Sequence, residues 1–245
     1  MGLRRCIRGE CRVRLNKYIA EAGLCSRREA DRRIESGRVT VDGQVAGLGT
    51  QVEMGQIVCC DGVEVAADNK KVVLICNKPR GIVCTAEKKE KDNIIDYIGY
   101  PIRVFPVGRL DKDSRGLILL TNDGELSDAL MRSRNGHERE YEVTVDKAID
   151  AEFVRSMSEG VYLEELDVTT LRAKVKKLSS NRFSITLTQG LNRQIRRMCE
   201  ALGYRVRDLK RVRIENLMLG DLEEGRYREL SENEERDLRA ILGRQ

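Results

Sequence analysis

The chain contains no tryptophan, one histidine, three prolines and three phenylalanines among its 245 residues. With a single histidine and no Cys-x-x-Cys pair, neither a zinc site nor a redox dithiol is expected. The eight cysteines, at positions 6, 11, 25, 59, 60, 76, 84 and 199, are too scattered for a disulfide framework. Cys59, Cys60 and Cys76 lie in apolar runs and read as small core residues, leaving Cys6 and Cys11 as the one loose cluster that metal chemistry could use. No apolar run approaches the roughly 18 residues of a membrane span; "VVLIC", 72–76, is the longest near the middle. The N-terminus "MGLRRCIRGECRV" lacks the apolar core of a secretory signal, so a cytoplasmic protein without membrane contact is expected. There is no Walker loop and no GxGxxG, and "HEREY" at 137–141 has Tyr141 where a zinc motif would need a second histidine. Nothing in the spacing of Cys84 and His137 argues for a Cys–His pair. The expectation is chemistry without metal or cofactor.

Charge, by contrast, is plentiful and unevenly spread. Residues 1–40 hold eleven Lys+Arg against five Asp+Glu, and residues 191–213 hold eight against two, so each block carries +6. Residues 221–239 hold four against eight, a net −4. Two basic blocks suit a polyanion such as nucleic acid, although a solvated helix face has the same composition.

Periodicity divides the chain. Leu15, Tyr18, Ile19 and Ala22 form one helical stripe closed by Gly23. In "SRREADRRIESG", Ser26 and Glu29 are spaced as a capping box, Ala30 and Ile34 make the buried edge, and Gly37 ends the helix. "RVTVDG" and "QIVCCDGVEV" predict two hairpins turning at Asp-Gly. Residues 14–65 thus read as a compact module, residues 1–13 as an N-terminal extension and residues 66–71 as a linker. From 72 to 245 strands and helices alternate through mostly short loops, predicting an α+β domain with an extended mixed or antiparallel sheet. "KPRG" predicts a type I turn, because Arg80 would resist a positive φ. Ser231 and Glu234 are spaced to cap a last, acidic helix.

The stretch with most chemical interest is "VFPVGRLDKDSRGLILLTNDGEL". On residue physics alone Asp111, at the end of an apolar strand and flanked by Arg109 and Lys112, is either a turn aspartate or a reactive carboxylate. Asp113 reads as a turn residue, with Ser114 and Gly116 helping the chain reverse. Tyr141 alternates with Glu140 and Glu142 and could simply be a core strand tyrosine; Arg196 could be a surface arginine.

Four blocks in order narrow these choices. "NKPRGIVCT", "GRLDKDSRGLILLT", "REYEVTV" and "TQGLNRQIRRMCEALG" resemble the motifs of pseudouridine synthases of the RsuA/RluB/RluE/RluF type, and the N-terminal module resembles the S4 RNA-binding domain. Together the resemblance covers about residues 14–235, and "NKYIAEAGLCSRREAD", "HEREYEVTVDKAI" and "GLNRQIRRMCEALGY" look most like the RluF branch, which acts on 23S ribosomal RNA. Residues 1–13 have no clear counterpart in that branch, and the chain stops at Gln245 without the basic tail of some relatives.

The resemblance implies that a specific uridine, near the peptidyl transferase region, is flipped out, detached from C1′, rotated and rejoined through C5. It makes Asp111 the catalytic carboxylate, acting on carbon or on the C2′ proton, Tyr141 the residue that stacks on the flipped base, and Arg196 the cation paired with Asp111. Arg193 and Arg197 take other bearings on the same helix, so only one of the three is expected to face Asp111. Unstacking a base costs a few kcal/mol, and stacking on an aromatic ring offsets roughly 1–3 kcal/mol of it. Arg14, Lys17, Ser26, Arg27, Arg28 and Arg32 in the module, and Arg109, Arg193 and Arg197 beside the site, are the expected RNA contacts. A monomer is expected. Competing readings are a non-enzymatic ribosome-associated S4 factor, which would not need Asp111, and the same isomerase acting on tRNA or small-subunit RNA.

Overall fold

The computed structural model describes residues 12–66, 70–87, 89–132 and 136–243. Cys6, Cys11 and most of the N-terminal extension lie outside them. The chain divides into two compact units between Lys71 and Val72.

In the first unit the apolar stripe forms helix Leu15–Glu21, and a second helix, Arg27–Glu35, packs on it through Ala30 and Ile34. The Ser26 side chain caps the second helix by accepting from the Glu29 N–H at 3.2 Å. The reciprocal half of the expected capping box is replaced: the Glu29 carboxylate pairs with Arg32 at 2.7 Å and Arg33 at 3.4 Å. Both Asp-Gly pairs turn hairpins as expected, with Asp42 and Asp61 at φ 51° and 53° before glycines at 80° and 78°. The resulting sheet, in the order Gln44–Val45, Val39–Val41, Val58–Cys60, Val63–Glu64, closes one small apolar core that includes Cys25 and Cys60.

The second unit is built on a nine-stranded mixed sheet, so the α+β expectation holds. Its path runs Lys174–Lys177, Arg182–Leu187, Arg139–Val145, Val206–Ile214, Arg115–Thr121, Val73–Lys78, Tyr227–Glu229. Every step of this path is antiparallel except one: Val206–Ile214 meets Arg115–Thr121 in parallel, at only two positions. Val73–Lys78 and Arg115–Thr121 are buried on both faces, which explains their unbroken apolar runs. Lys174–Lys177 ends the sheet with charged residues that discourage further pairing. The sequence reading missed this strand because "KVKK" has too little apolar content to register.

The parallel junction demands glycine. Gly116 sits at φ 103°, and a Cβ there would lie 2.3 Å from the Arg211 carbonyl oxygen. Beside it Asp208 accepts from Arg80 at 2.7 Å and from Arg115 at 3.0 and 2.7 Å. Burial works against its charged form, but the hydrogen bonds and charges of the two arginines outweigh it and hold this carboxyl at about 2. Arg80 keeps a negative φ, as expected, and Gly81 takes the positive one, 85°. The Ser231–Glu234 capping box opens helix Glu232–Leu242 as expected.

Candidate active site

Strand Phe105–Val107 ends at Gly108, φ 74°, and the chain enters a loop, residues 109–114, before Arg115–Thr121 begins. Asp111 therefore sits in a loop four residues past the strand, not at its end. Four groups fix this loop from beneath. Leu110 is buried among Ile118 and Leu120, and its N–H donates to Cys84 Sγ at 3.3 Å. The Gly81 N–H donates to the Lys112 carbonyl at 2.9 Å. Lys78, 0% exposed, donates through Nζ to the carbonyls of Ser114 at 2.6 Å, Pro79 at 2.8 Å and Lys112 at 3.4 Å. Arg196 donates to the Asp113 carbonyl and the Ser114 hydroxyl, each at 3.3 Å. Burial pushes the Lys78 ammonium down, while Cys84, Asp111 and Asp113 work against that shift.

The Asp111 side chain, 33% exposed, is left facing a cleft of about 260 Å³. Arg109, Tyr141, Arg193 and Arg211 line the same cleft, between apolar walls that include Leu110, Leu119, Leu209 and Ile214. Tyr141 lines it from strand Arg139–Val145, where it packs against two apolar clusters.

One expected pairing is corrected. The cation at Asp111 is Arg193, with its guanidinium 3.7 Å from the carboxylate, where the sequence reading expected Arg196. The helix starts at Gln194, so Arg193 is its N-cap, at φ 50°. A left-handed residue outside the helix does not follow the helical wheel, and its side chain is free to cross to the loop. Arg196 sits half-buried behind the loop, with its Nε buried and unpartnered. Burial, and after it the Arg193 charge, depress the Arg196 guanidinium, with Asp111 opposing. Arg197 pairs with Glu165 and donates to the Asn192 carbonyl at 3.1 Å, away from the cleft lining.

In the first unit Arg27, Arg28 and Arg32 are exposed on one short helix, and Arg14 is exposed just before the other. Arg32 carries Glu29, Lys17 lies 3.6 Å from Glu21, and the Ser26 side chain is committed to its cap. Arg33 is partly buried against Cys60 and Glu29 and serves the fold.

Three charged residues of the second unit escaped the sequence reading: Lys78, Arg139 and Arg211. Lys78 follows the apolar run 72–76 two residues on, at the end of the same strand, and Arg211 alternates with Leu209; each pattern signals a buried position. Among the described residues no group of His, Cys, Asp or Glu could hold a metal ion, and no helix is long and apolar enough to cross a membrane.

Comparison with known proteins bears on this geometry. Residues 72–201 match the family model described as RNA pseudouridylate synthase, and residues 13–58 match the S4 domain. The dual-specificity RNA pseudouridine synthase RluF of Escherichia coli K12 is 52% identical over 232 residues, 94% of this chain and 79% of that protein. The ribosomal large subunit pseudouridine synthase B of Bacillus subtilis 168 is 37% identical, over 93% of this chain and 96% of its own length. Among solved structures, a crystal structure of a pseudouridylate synthase superposes with TM-score 0.68 at 29% identity, covering 92% of this chain and 99% of that one.

Proposed function

As the chain belongs to the RNA pseudouridylate synthase family, we propose that it isomerises a specific uridine of large-subunit ribosomal RNA, with Asp111 as the catalytic carboxylate. The observation that carries this reading is the solitary carboxylate. Asp111 is the one acidic side chain among the described residues lining the cleft, on a loop clamped by Lys78 and facing Arg193. The isomerisation needs one ionised carboxylate held beside a flipped nucleoside, and no redox step. Tyr141 offers the flipped base a flat apolar face, and Arg109 and Arg193, both exposed in the cleft lining, offer cations to the neighbouring phosphates. The preference for large-subunit RNA follows the relative in B. subtilis. Carbodiimide mapping of pseudouridine across ribosomal and transfer RNA, with and without this gene, tests it. The expected result is the loss of one or a few stops in 23S RNA; loss confined to tRNA or to the small subunit would refute the substrate.

The first unit supplies a second, separable function. The exposed arginines of helix Arg27–Glu35 stand on a capped, rigid scaffold that suits RNA phosphates and reads few base edges. Replacing Arg27, Arg28 and Arg32 with glutamine is expected to weaken RNA binding and to flatten its log–log salt slope by roughly 2, at about 0.7 per lost phosphate contact. A filter-binding series between 50 and 200 mM salt (about fourfold) measures it; an unchanged slope would remove this face from the interface.

A further inference from the structure

The cleft carries more positive charge than Asp111 accounts for. Four arginines line it, at 109, 139, 193 and 211, against the single carboxylate. Arg109 and Arg193 are exposed and can meet phosphates, but the other two are of a different kind. Arg211 is 3% exposed. Its Nε donates to the Leu117 carbonyl at 2.7 Å, and one terminal guanidinium nitrogen is buried without any hydrogen-bond partner. Among the described residues no carboxylate pairs with it. Arg139 is half-buried and makes only long contacts, 3.5 Å to the His137 carbonyl and 3.4 Å to that of Leu130. Glu215, the carboxylate nearest in effect, is already engaged by His137 at 2.9 Å. Burial depresses the Arg139 guanidinium, and the Arg211 charge adds to that shift, so the two cations act on each other. Tyr141 stands directly opposite Arg211 across the antiparallel pair of strands.

A buried guanidinium among apolar walls, with a donor to spare, is costly unless an anion meets it. The reaction generates one. When the C1′–N1 bond breaks, its electron pair leaves with the base, and the charge spreads from N1 onto O2 and O4. We propose that Arg211, supported by Arg139, holds the detached uracil as an anion, its guanidinium donating to an exocyclic carbonyl oxygen, O2 or O4, while the base turns beside Tyr141. The balance is that of an isomerisation. The base departs with the bonding pair as C1′ gains either a bond to the Asp111 carboxylate or a double bond to C2′, whose proton the carboxylate takes. C5 then bonds to C1′ as the ester bond breaks or the C2′ proton returns, and the C5 proton is lost as N1 regains one. The guanidinium changes no bond; it lowers the energy of the charged intermediate and of the bond-breaking step before it. This rests on the reading of Asp111 as the carboxylate that starts that cleavage.

The test uses full-length protein and a ribosomal RNA fragment carrying either uridine or 5-fluorouridine at the mapped position. Fluorine at C5 makes the departing anion less basic, so it needs less help. For Arg211→Met the single-turnover rate on uridine is expected to fall about 10²–10³-fold, with RNA affinity held within about threefold. On 5-fluorouridine the loss is expected to shrink by roughly tenfold or more, read as consumption of the nucleoside after nuclease digestion. Arg211→Lys, which keeps the charge but not the fork, is expected to show a smaller loss with the same leaving-group dependence, and decides the matter if the methionine variant does not fold. Equal losses on both substrates, or a fall in affinity that matches the fall in rate, would overturn the proposal. Wild-type protein that leaves both fragments unchanged would instead overturn the functional reading beneath it.

Discussion

Asp111→Asn is expected to lower pseudouridine formation by at least about 10³-fold while leaving RNA affinity and fold intact. The size of the effect follows from the cleft: among the described residues no second acidic side chain lines it to take over the carboxylate's work. The sparing of the fold follows from the pair itself. Asp111 and Arg193 are 33% and 42% exposed and 3.7 Å apart, and exposed pairs of this kind contribute on the order of 0–1 kcal/mol. Asparagine preserves shape, and the loop's anchors are backbone groups: the Leu110 N–H and the carbonyls of Lys112, Asp113 and Ser114. Single-turnover conversion of the mapped uridine, beside a binding isotherm and a thermal melt, separates the three quantities. Retained turnover by the asparagine variant would return Asp111 to the status of a turn residue. A parallel loss of binding would mean that the negative charge organises the cleft and does not act on the nucleoside.

The elements that sequence announces well are those whose cause is local. Asp42-Gly43 and Asp61-Gly62 turn because aspartate tolerates, and glycine favours, a positive φ, and Ser26 and Ser231 start helices because a short hydroxyl reaches an orphan N–H. Asp111 and Tyr141 were legible through the order of four motifs, and both line the cleft. What escaped depends on tertiary context. Arg193 reads as a helix residue because nothing in "LNRQIRRM" signals that the helix starts one residue later, with a left-handed arginine at its cap. Propensity argues against a positive φ at arginine, and the surrounding structure overrides it. Lys78 and Arg211 escaped for a different reason. Charged residues are rarely buried, and their compensating partners are carbonyls of Pro79, Ser114 and Leu117, which sequence does not display. The loop 109–114 reads in sequence as a simple reversal; its rigidity comes from two distant segments, residues 78–84 and the helix that carries Arg196.

That rigidity leads to the second large effect, at Lys78. Its ammonium has three N–H donors, and three carbonyls receive them, two from the loop and one from Pro79. Lys78→Met keeps the length and apolar stem but deletes every one of these bonds. The Lys112 carbonyl retains the Gly81 N–H, whereas the Ser114 carbonyl, in a residue only 1% exposed, loses its 2.6 Å bond to the ammonium. A cost of about 2–4 kcal/mol is expected from the carbonyls left unsatisfied, equivalent to a melting temperature lower by roughly 5–15 °C for a unit of this size. Activity is expected to fall further than stability alone requires, because Asp111 rides on the freed loop and a misplacement of about 1 Å can cost 10²-fold. Measuring turnover at a temperature where both proteins are fully folded isolates that second loss. RNA affinity, which the proposed interface assigns to the arginines of the first unit and to Arg109 and Arg193, is expected to change little. A methionine variant that melts with the wild type and turns over at its rate would show that the loop holds its shape without the lysine. Position 78 would then be a buried charge that the fold tolerates without using.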